Sequence, residues 1–272
     1  MGWRAAALRV LQSADADAKR EAAASARPLW DADETALEPP RRPARPPRPA
    51  LILPRDAPKR ALGSAAGRIA LLHALAHIEL NAVDLAFDMA LRFADEASAA
   101  GLDAQAFVAD WFAVGREEAG HFQMLNRRLH TLGSDYGALP AHDGLWEAAE
   151  ATADSLLARL AVAPLILAAR GLDVTPGMAA RMAAAGDRES AAILETIYAD
   201  EIGHVATGVR WFEAFCARRG LAADAAFADL AATRFRGGPK PPFNEPGRKA
   251  AGMPASFYAA WNRTCGGDAE RR

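Results

Sequence analysis

The chain has 272 residues, 68 of them alanine, with aromatic residues at 7% and a formal net charge of −2. Alanine is the strongest helix former, whereas β-branched and aromatic side chains favour strands, so the composition argues for helices and against an all-β fold. The near-neutral charge excludes a globally basic nucleic-acid binder and an acidic solvating tail, and two cysteines in no motif, Cys216 and Cys265, exclude a disulfide scaffold or a four-cysteine zinc site.

Residues 3–24 predict an alanine-rich helical stretch with an apolar stripe at Trp3, Ala7, Val10 and Leu11. Charged residues interrupt residues 1–19, which is not the pattern of a signal peptide. A proline-rich arm follows, with nine of the 17 prolines between positions 28 and 58. Its last part carries Arg41, Arg42, Arg45, Arg48, Arg55, Lys59 and Arg60 against Asp56. Proline removes the backbone donor a helix needs, so the arm is expected to be extended, as a strap over the helices or a solvated linker. A nucleic-acid contact is the alternative use of its charge.

Long helical segments are predicted over 64–97, 103–131, 143–170 and 189–219, with Pro164 kinking the third and Gly171 ending it. Shorter helices are predicted over 176–185 and 222–234, and 237–272 reads as mostly irregular, with five prolines. Residues 1–60, 61–235 and 236–272 are thus read as arm, bundle and tail. The fold class is all-α, with a four-helix bundle as its architecture. The longest apolar run, 160–169, contains Pro164 and is too short to span a membrane. The expected compartment is the cytoplasm, with reduced thiols.

The chemistry lies in the helical seams. Trp111, Val114, Glu118, His121 and Leu125 recur at core spacing, as do Leu194, Ile197, Glu201, His204, Gly208 and Trp211, and Leu72, Ala76, Glu79, Val83, Ala86 and Ala90. A carboxylate on a core seam is costly without a partner. In Glu118/His121 and Glu201/His204 the two residues are three apart, so both project from one face and can grip one ion. Chance supplies about 0.3 such pairs in a chain of this composition. Here there are two, 83 residues apart in register. Structural ion pairs between Glu and protonated His are the alternative. Two carboxylate–imidazole pairs plus Glu79 from a third helix can build a carboxylate-bridged dimetal site. The donor set, without thiolate, suits iron, mononuclear or dinuclear, or manganese, with zinc as an alternative.

Other side chains stand near these seams. His73 and His77 share a stripe with Leu80, Asp84 and Phe87, turned from Glu79, and read as hydrogen-bonding groups or outer donors; a metal-binding pair is the alternative. Asp84 and Asp200 read as groups that orient ligating histidines or pair with arginine. Tyr198 reads as a core residue with a satisfied hydroxyl or a redox partner. Gly120 and Gly203 precede His121 and His204, where close helix approach or access to a metal would explain them.

Several runs carry a family resemblance: His77-Ile78-Glu79-Leu80-Asn81-Ala82, Glu117-Glu118-Ala119-Gly120-His121-Phe122, Leu139-Pro140-Ala141-His142-Asp143-Gly144-Leu145-Trp146, Ala169-Arg170-Gly171-Leu172-Asp173, Asp200-Glu201-Ile202-Gly203-His204-Val205, Lys240-Pro241-Pro242-Phe243-Asn244 and Ala251-Gly252-Met253. With these the chain resembles, over nearly its whole length, a bacterial ferritin-like family of uncharacterised function, distantly similar to diiron hydroxylases that include a tRNA-modifying one. The resemblance implies a ferritin-like bundle, and metal ligands at Glu79, Glu118, His121, Glu201 and His204. Glu118 and Glu201 would bridge two metals, Glu79 and His121 would complete the first, and His204 would serve the second. It also implies a glutamate just before Ala169, where this chain has Ala168. The expected function is therefore a metal-binding protein, with a non-haem diiron-type oxygenase or hydroxylase as its enzymatic form, its second metal position incomplete. The alternatives are metal binding or storage without catalysis, and an interaction module. Candidate partners are an unidentified small-molecule substrate, tRNA and a second copy of the chain in a homodimer.

Overall fold

A computed structural model describes residues 1–30, 35–58 and 61–266, with side chains through residue 262. The described residues are all-helical, without a strand. The expected first helix is two, α1 (Trp3–Gln12) and α2 (Ala16–Ser25), because the Asp15 side chain accepts the Ala18 N–H and caps a new start.

Four long helical runs form the centre. α3 (Ala65–Ala99) begins where Ser64 accepts the Gly67 N–H, and α4 (Ala104–Thr131) where Asp103 accepts that of Ala106. α8 (Arg188–Arg219) starts on Asp187 and stops at Gly220, which holds φ at +65°. The third run departs most from expectation. It is broken into α5 (Gly144–Glu150), α6 (Leu156–Val162), a π-helical turn Ala163–Ala168, and α7 (Ala169–Ala184). Ser155 caps α6, so the helix cannot run through residues 151–155. Pro164 cannot donate in the ladder and its ring crowds the preceding turn, which widens locally into the π-helical turn.

Gly171 does not end that run, and Pro176 does not begin a new helix; both lie inside α7. Pro176 leaves the Leu172 carbonyl, four residues back, without its usual donor. The Asn244 side-chain amide donates to that carbonyl at 2.9 Å. Asn244 belongs to the segment expected to be irregular. That segment instead holds α10 (Glu245–Ala250) and α11 (Ala255–Gly266), after α9 (Ala223–Arg234). Its prolines start helices: Pro246 opens α10, and Pro254 directly precedes α11. Phe257 and Trp261 of α11 are buried and pack on Phe227 of α9. Burying side chains of this size contributes roughly 1.5–3 kcal/mol each.

The proline-rich arm is a strap. Ala44 N–H donates to the Leu11 carbonyl, and Ala50 and Ile52 exchange backbone hydrogen bonds with Ala141. Arg42 pairs with Asp143 and Glu150, and Arg45 with the buried Asp84. Lys59 and Arg60 lie outside the described residues.

The core is divided along α3, α4 and α8. One apolar cluster gathers Leu72, Leu80, Phe122, Leu125, Met182 and Leu194. The other begins at Val83 and holds Phe87, Val114, Val205 and Phe212. Between them lie Glu118 with His121 on α4 and Glu201 with His204 on α8, while Glu79 sits at the end of the first cluster on α3, next to Leu80. The helices can close here because Gly115 and Gly208 lack a side chain. A Cβ at Gly115 would lie 2.6 Å from the Phe87 ring, and one at Gly208 2.4 Å from Pro164. Gly120 and Gly203, by contrast, are exposed, and a Cβ at either would meet nothing within 4 Å, so close helix approach does not explain them.

Candidate metal centre

The five expected ligands meet in one place. Glu79, Glu118 and His121 form one group whose ligand atoms all lie within 4.8 Å of one another, and Glu118, Glu201 and His204 form a second of the same size. Glu118 belongs to both. Each group offers two carboxylates and one imidazole, a donor set that could hold a metal ion.

The two imidazoles are arranged alike. His121 Nδ1 faces Glu79 Oε2 at 3.2 Å and Glu118 Oε2 at 3.4 Å. His204 Nδ1 faces Glu118 Oε1 at 3.0 Å and Glu201 Oε1 at 3.5 Å. Their outer nitrogens turn to the opposite helix: His121 Nε2 donates to Asp200 at 3.0 Å, and His204 Nε2 to Glu117 at 2.8 Å. The acid before each Glu-x-x-His glutamate therefore anchors the other helix's histidine. A carboxylate on the outer nitrogen fixes the tautomer and leaves Nδ1 as an inward donor of its lone pair. Asp200 takes the orienting role expected of it. Glu117 takes the same role without having been singled out in the sequence, although an acid stands at the same offset in both motifs.

Electrostatically the cluster is short of positive charge. Burial and the neighbouring Glu118 push the Glu79 carboxyl well above the carboxylate range, and the same two causes raise Glu201. Burial alone would also raise Glu118, but the facing His204 charge and the His121 hydrogen bond hold it well below that range. Burial would depress His121, yet its hydrogen bonds to Glu118 and Glu79 push it up to about 11. Burial opposes and the facing carboxylates overcome the rise of His204 as well. Two atoms fit a missing cation better than a hydrogen bond. Glu201 Oε2 is buried with no hydrogen-bond partner, and His204 Nδ1 makes no hydrogen bond despite its approach to Glu118.

The remaining polar candidates are fastened elsewhere. His73 Nε2 accepts the Gly137 and Leu139 N–H groups, and His77 Nδ1 meets the Tyr136 hydroxyl at 2.9 Å. These partners come from the loop after α4, not from helix neighbours or the ligands. Asp84 pairs with Lys19 and Arg45, not with a histidine. The Tyr198 hydroxyl accepts from Asn244 at 3.1 Å, as a satisfied core residue does. Cys216 is buried with a free thiol, pushed by burial to about 11, and the Cys265 side chain lies outside the described residues.

Ala168, in the π-helical turn, lines a pocket of about 50 Å³ that also reaches Glu118 and His204. The position expected to carry a sixth ligand thus faces the second group, without a donor.

An uncharacterised protein of Haemophilus influenzae is 46% identical to this chain over 185 residues, 68% of the chain. The chain spans 64% of the length of that curated relative. No solved structure matches this chain. The model of DUF455, a family described as protein of unknown function, matches residues 7–259, and the chain belongs to that family.

Proposed function

We propose that this chain is a ferritin-like metal-binding protein in which α3, α4, the broken α6–α7 run and α8 form the four-helix bundle, and that it works as a non-haem diiron-type oxygenase or hydroxylase. The observation that carries the reading is the convergence of two anchored imidazoles on the carboxylates of Glu79, Glu118 and the half-buried Glu201, with no Lys or Arg in either group. Elsewhere this chain pairs its buried acids with Lys or Arg, as at Asp84 and Asp88. Glu79, Glu118 and His121 hold the first ion, and Glu118, Glu201 and His204 the second. Iron bound there supplies dioxygen activation. Asp200 and Glu117 hold the imidazole planes, and the flanking apolar clusters exclude water and lower the local dielectric. The first ion is held more tightly, since its group is wholly buried while the second borders the Ala168 pocket.

Ala168 favours one second reading, metal binding or storage without turnover. Oxygen uptake after anaerobic ferrous loading, with iron counted in the same sample, separates the two. Uptake coupled to iron oxidation that recurs with added reductant supports the oxygenase. Bound iron with one stoichiometric oxidation supports storage, and a protein that binds no metal ends both. The Arg42 and Arg45 pairs with Asp143, Glu150 and Asp84 support a fastening role for these two arm arginines.

A further inference from the structure

We propose that the pocket beside Ala168 binds the carboxylate of a small acid with an apolar tail, and that this carboxylate supplies the oxygen donor missing from the Glu118/Glu201/His204 position. The inference rests on the metal reading above and deepens it by naming a ligand class. It starts from the pocket itself. Glu118 and His204 form its polar end, and Leu85, Met89, Trp111 and Pro164 form apolar walls. Ala168 lines the same pocket with a methyl group, at the position where the family resemblance implies a glutamate.

Three physical arguments select the ligand. The first is charge. Three carboxylates facing two divalent ions leave an excess of one positive charge in a buried site, and uncompensated buried charge is costly. A single anion removes it. The second is hydrogen bonding. The Trp111 side chain is buried, lines the pocket, and has an indole N–H without a partner among the described residues. An acceptor oxygen would satisfy it, and tryptophan nitrogen can only donate. Glu201 Oε2, also without a partner, marks the same centre. The third is size and polarity. A cavity of about 50 Å³ has room for a few non-hydrogen atoms, enough for a carboxylate and the start of a tail. No Lys or Arg is among the described residues that line it, so a doubly charged phosphate would find no compensation beyond the ions. Hard oxygen donors suit iron and manganese.

The Pro164 turn makes this space. Its π-helical widening presses Pro164 against Gly208 on α8, so Ala168 follows on the pocket wall. The site is therefore built by the fold, and the small side chain at position 168 leaves space in it.

The test uses the full chain loaded anaerobically with cobalt(II), whose visible absorption reports on donors at the ion. Acetate, butanoate, hexanoate and hexylamine are titrated, with cobalt counted at each end point. The expected result is a spectral change with the acids and none with the amine. Butanoate should bind at least tenfold more tightly than acetate, and at least tenfold more tightly to loaded than to metal-free protein. Ala168→Glu should keep its cobalt and lose the butanoate response by tenfold or more; Ala168→Leu should lose it without gaining a donor. Cobalt retained with no acid-dependent change overturns this inference alone. So does a response unchanged in Ala168→Glu, or one equal for acetate and hexanoate, which would assign the position to any small free anion. A chain that takes up no cobalt overturns the metal reading and this inference with it.

Discussion

Helix α3 carries two buried polar rows, and they are satisfied in opposite ways. One row runs His73, His77, Asp84, Asp88, and each member meets a partner of matching chemistry. The loop backbone serves His73, Tyr136 serves His77, Lys19 and Arg45 serve Asp84, and Arg92 and Arg159 serve Asp88. The other row is Glu79 alone, and across from it stand only acids and the imidazoles they anchor. Buried charge is retained when it is paired. The first row is paired by the protein and fastens the strap, α2 and α6 to α3. The second faces imidazoles and further carboxylates, a group that could hold a metal ion. Burial alone does not separate a structural polar residue from a ligand; the sign of what faces it does.

Variants at the two rows should differ in kind. Glu118→Ala removes the ligand common to both groups, so metal affinity should fall by at least a hundredfold at each position, read by equilibrium dialysis with elemental analysis. The metal-free variant should lose only part of its stability in urea, since the lost pairing with His121 and His204 is offset by relief of the Glu79 and Glu201 carboxyls that Glu118 raises. Arg159→Met is the opposite case. It leaves Asp88 with Arg92 alone and frees the Ala149 carbonyl, so stability should fall by about 3–5 kcal/mol with metal stoichiometry retained. Equal effects of the two variants on stability would erase the comparison.

Acid titration sharpens it further. Burial depresses His73 from 6.5 to about 4 and, aided by the Arg45 charge, His77 to about 3. Below pH 6.5 the unfolded chain binds protons that the folded chain refuses, so their contribution to stability is constant above 6.5 and is lost as pH falls towards 4. Each histidine contributes a slope of about 1.4 kcal/mol per pH unit in that window. His73→Gln keeps an acceptor for the loop but cannot titrate, so its urea stability should fall less steeply than the parent's. An unchanged slope would contradict the buried neutral state of His73.

Asp200→Asn probes the anchoring of His121. Metal affinity should fall by about 10–100-fold, with unfolding free energy changed by no more than about 0.5 kcal/mol. The smallest effect is at Gly120 and Gly203, where alanine should raise stability by about 1 kcal/mol in thermal unfolding, since nothing lies near the added methyl. A gain in stability with slower metal uptake would mark them as access points.

Much of this is legible in the sequence where a local rule suffices. Ser64, Asp103 and Asp187 signal helix starts, and the repeated Glu-x-x-His spacing with Glu79 locates the centre. Prolines mislead, because the same residue breaks a helix interior and opens a helix. Pro176 is tolerated inside α7 only since Asn244, 68 positions on, supplies the donor for Leu172, which no local pattern encodes. Glu117 escapes notice for a related reason: its partner His204 is on another helix, and only the repeated acid before each motif could have shown it. Lys19 looks like a solvated residue in an alanine-rich helix, and its burial follows solely from Asp84 across the interface.

Crystals of the protein loaded anaerobically with ferrous iron, measured at the iron absorption edge, test the central claim most directly. The account predicts an anomalous peak within coordinating distance of Glu118 and His121, with a weaker one beside His204. Iron-exposed crystals with no ion at Glu118 would contradict the claim, and two fully and equally occupied positions would contradict the asymmetry assigned to Ala168.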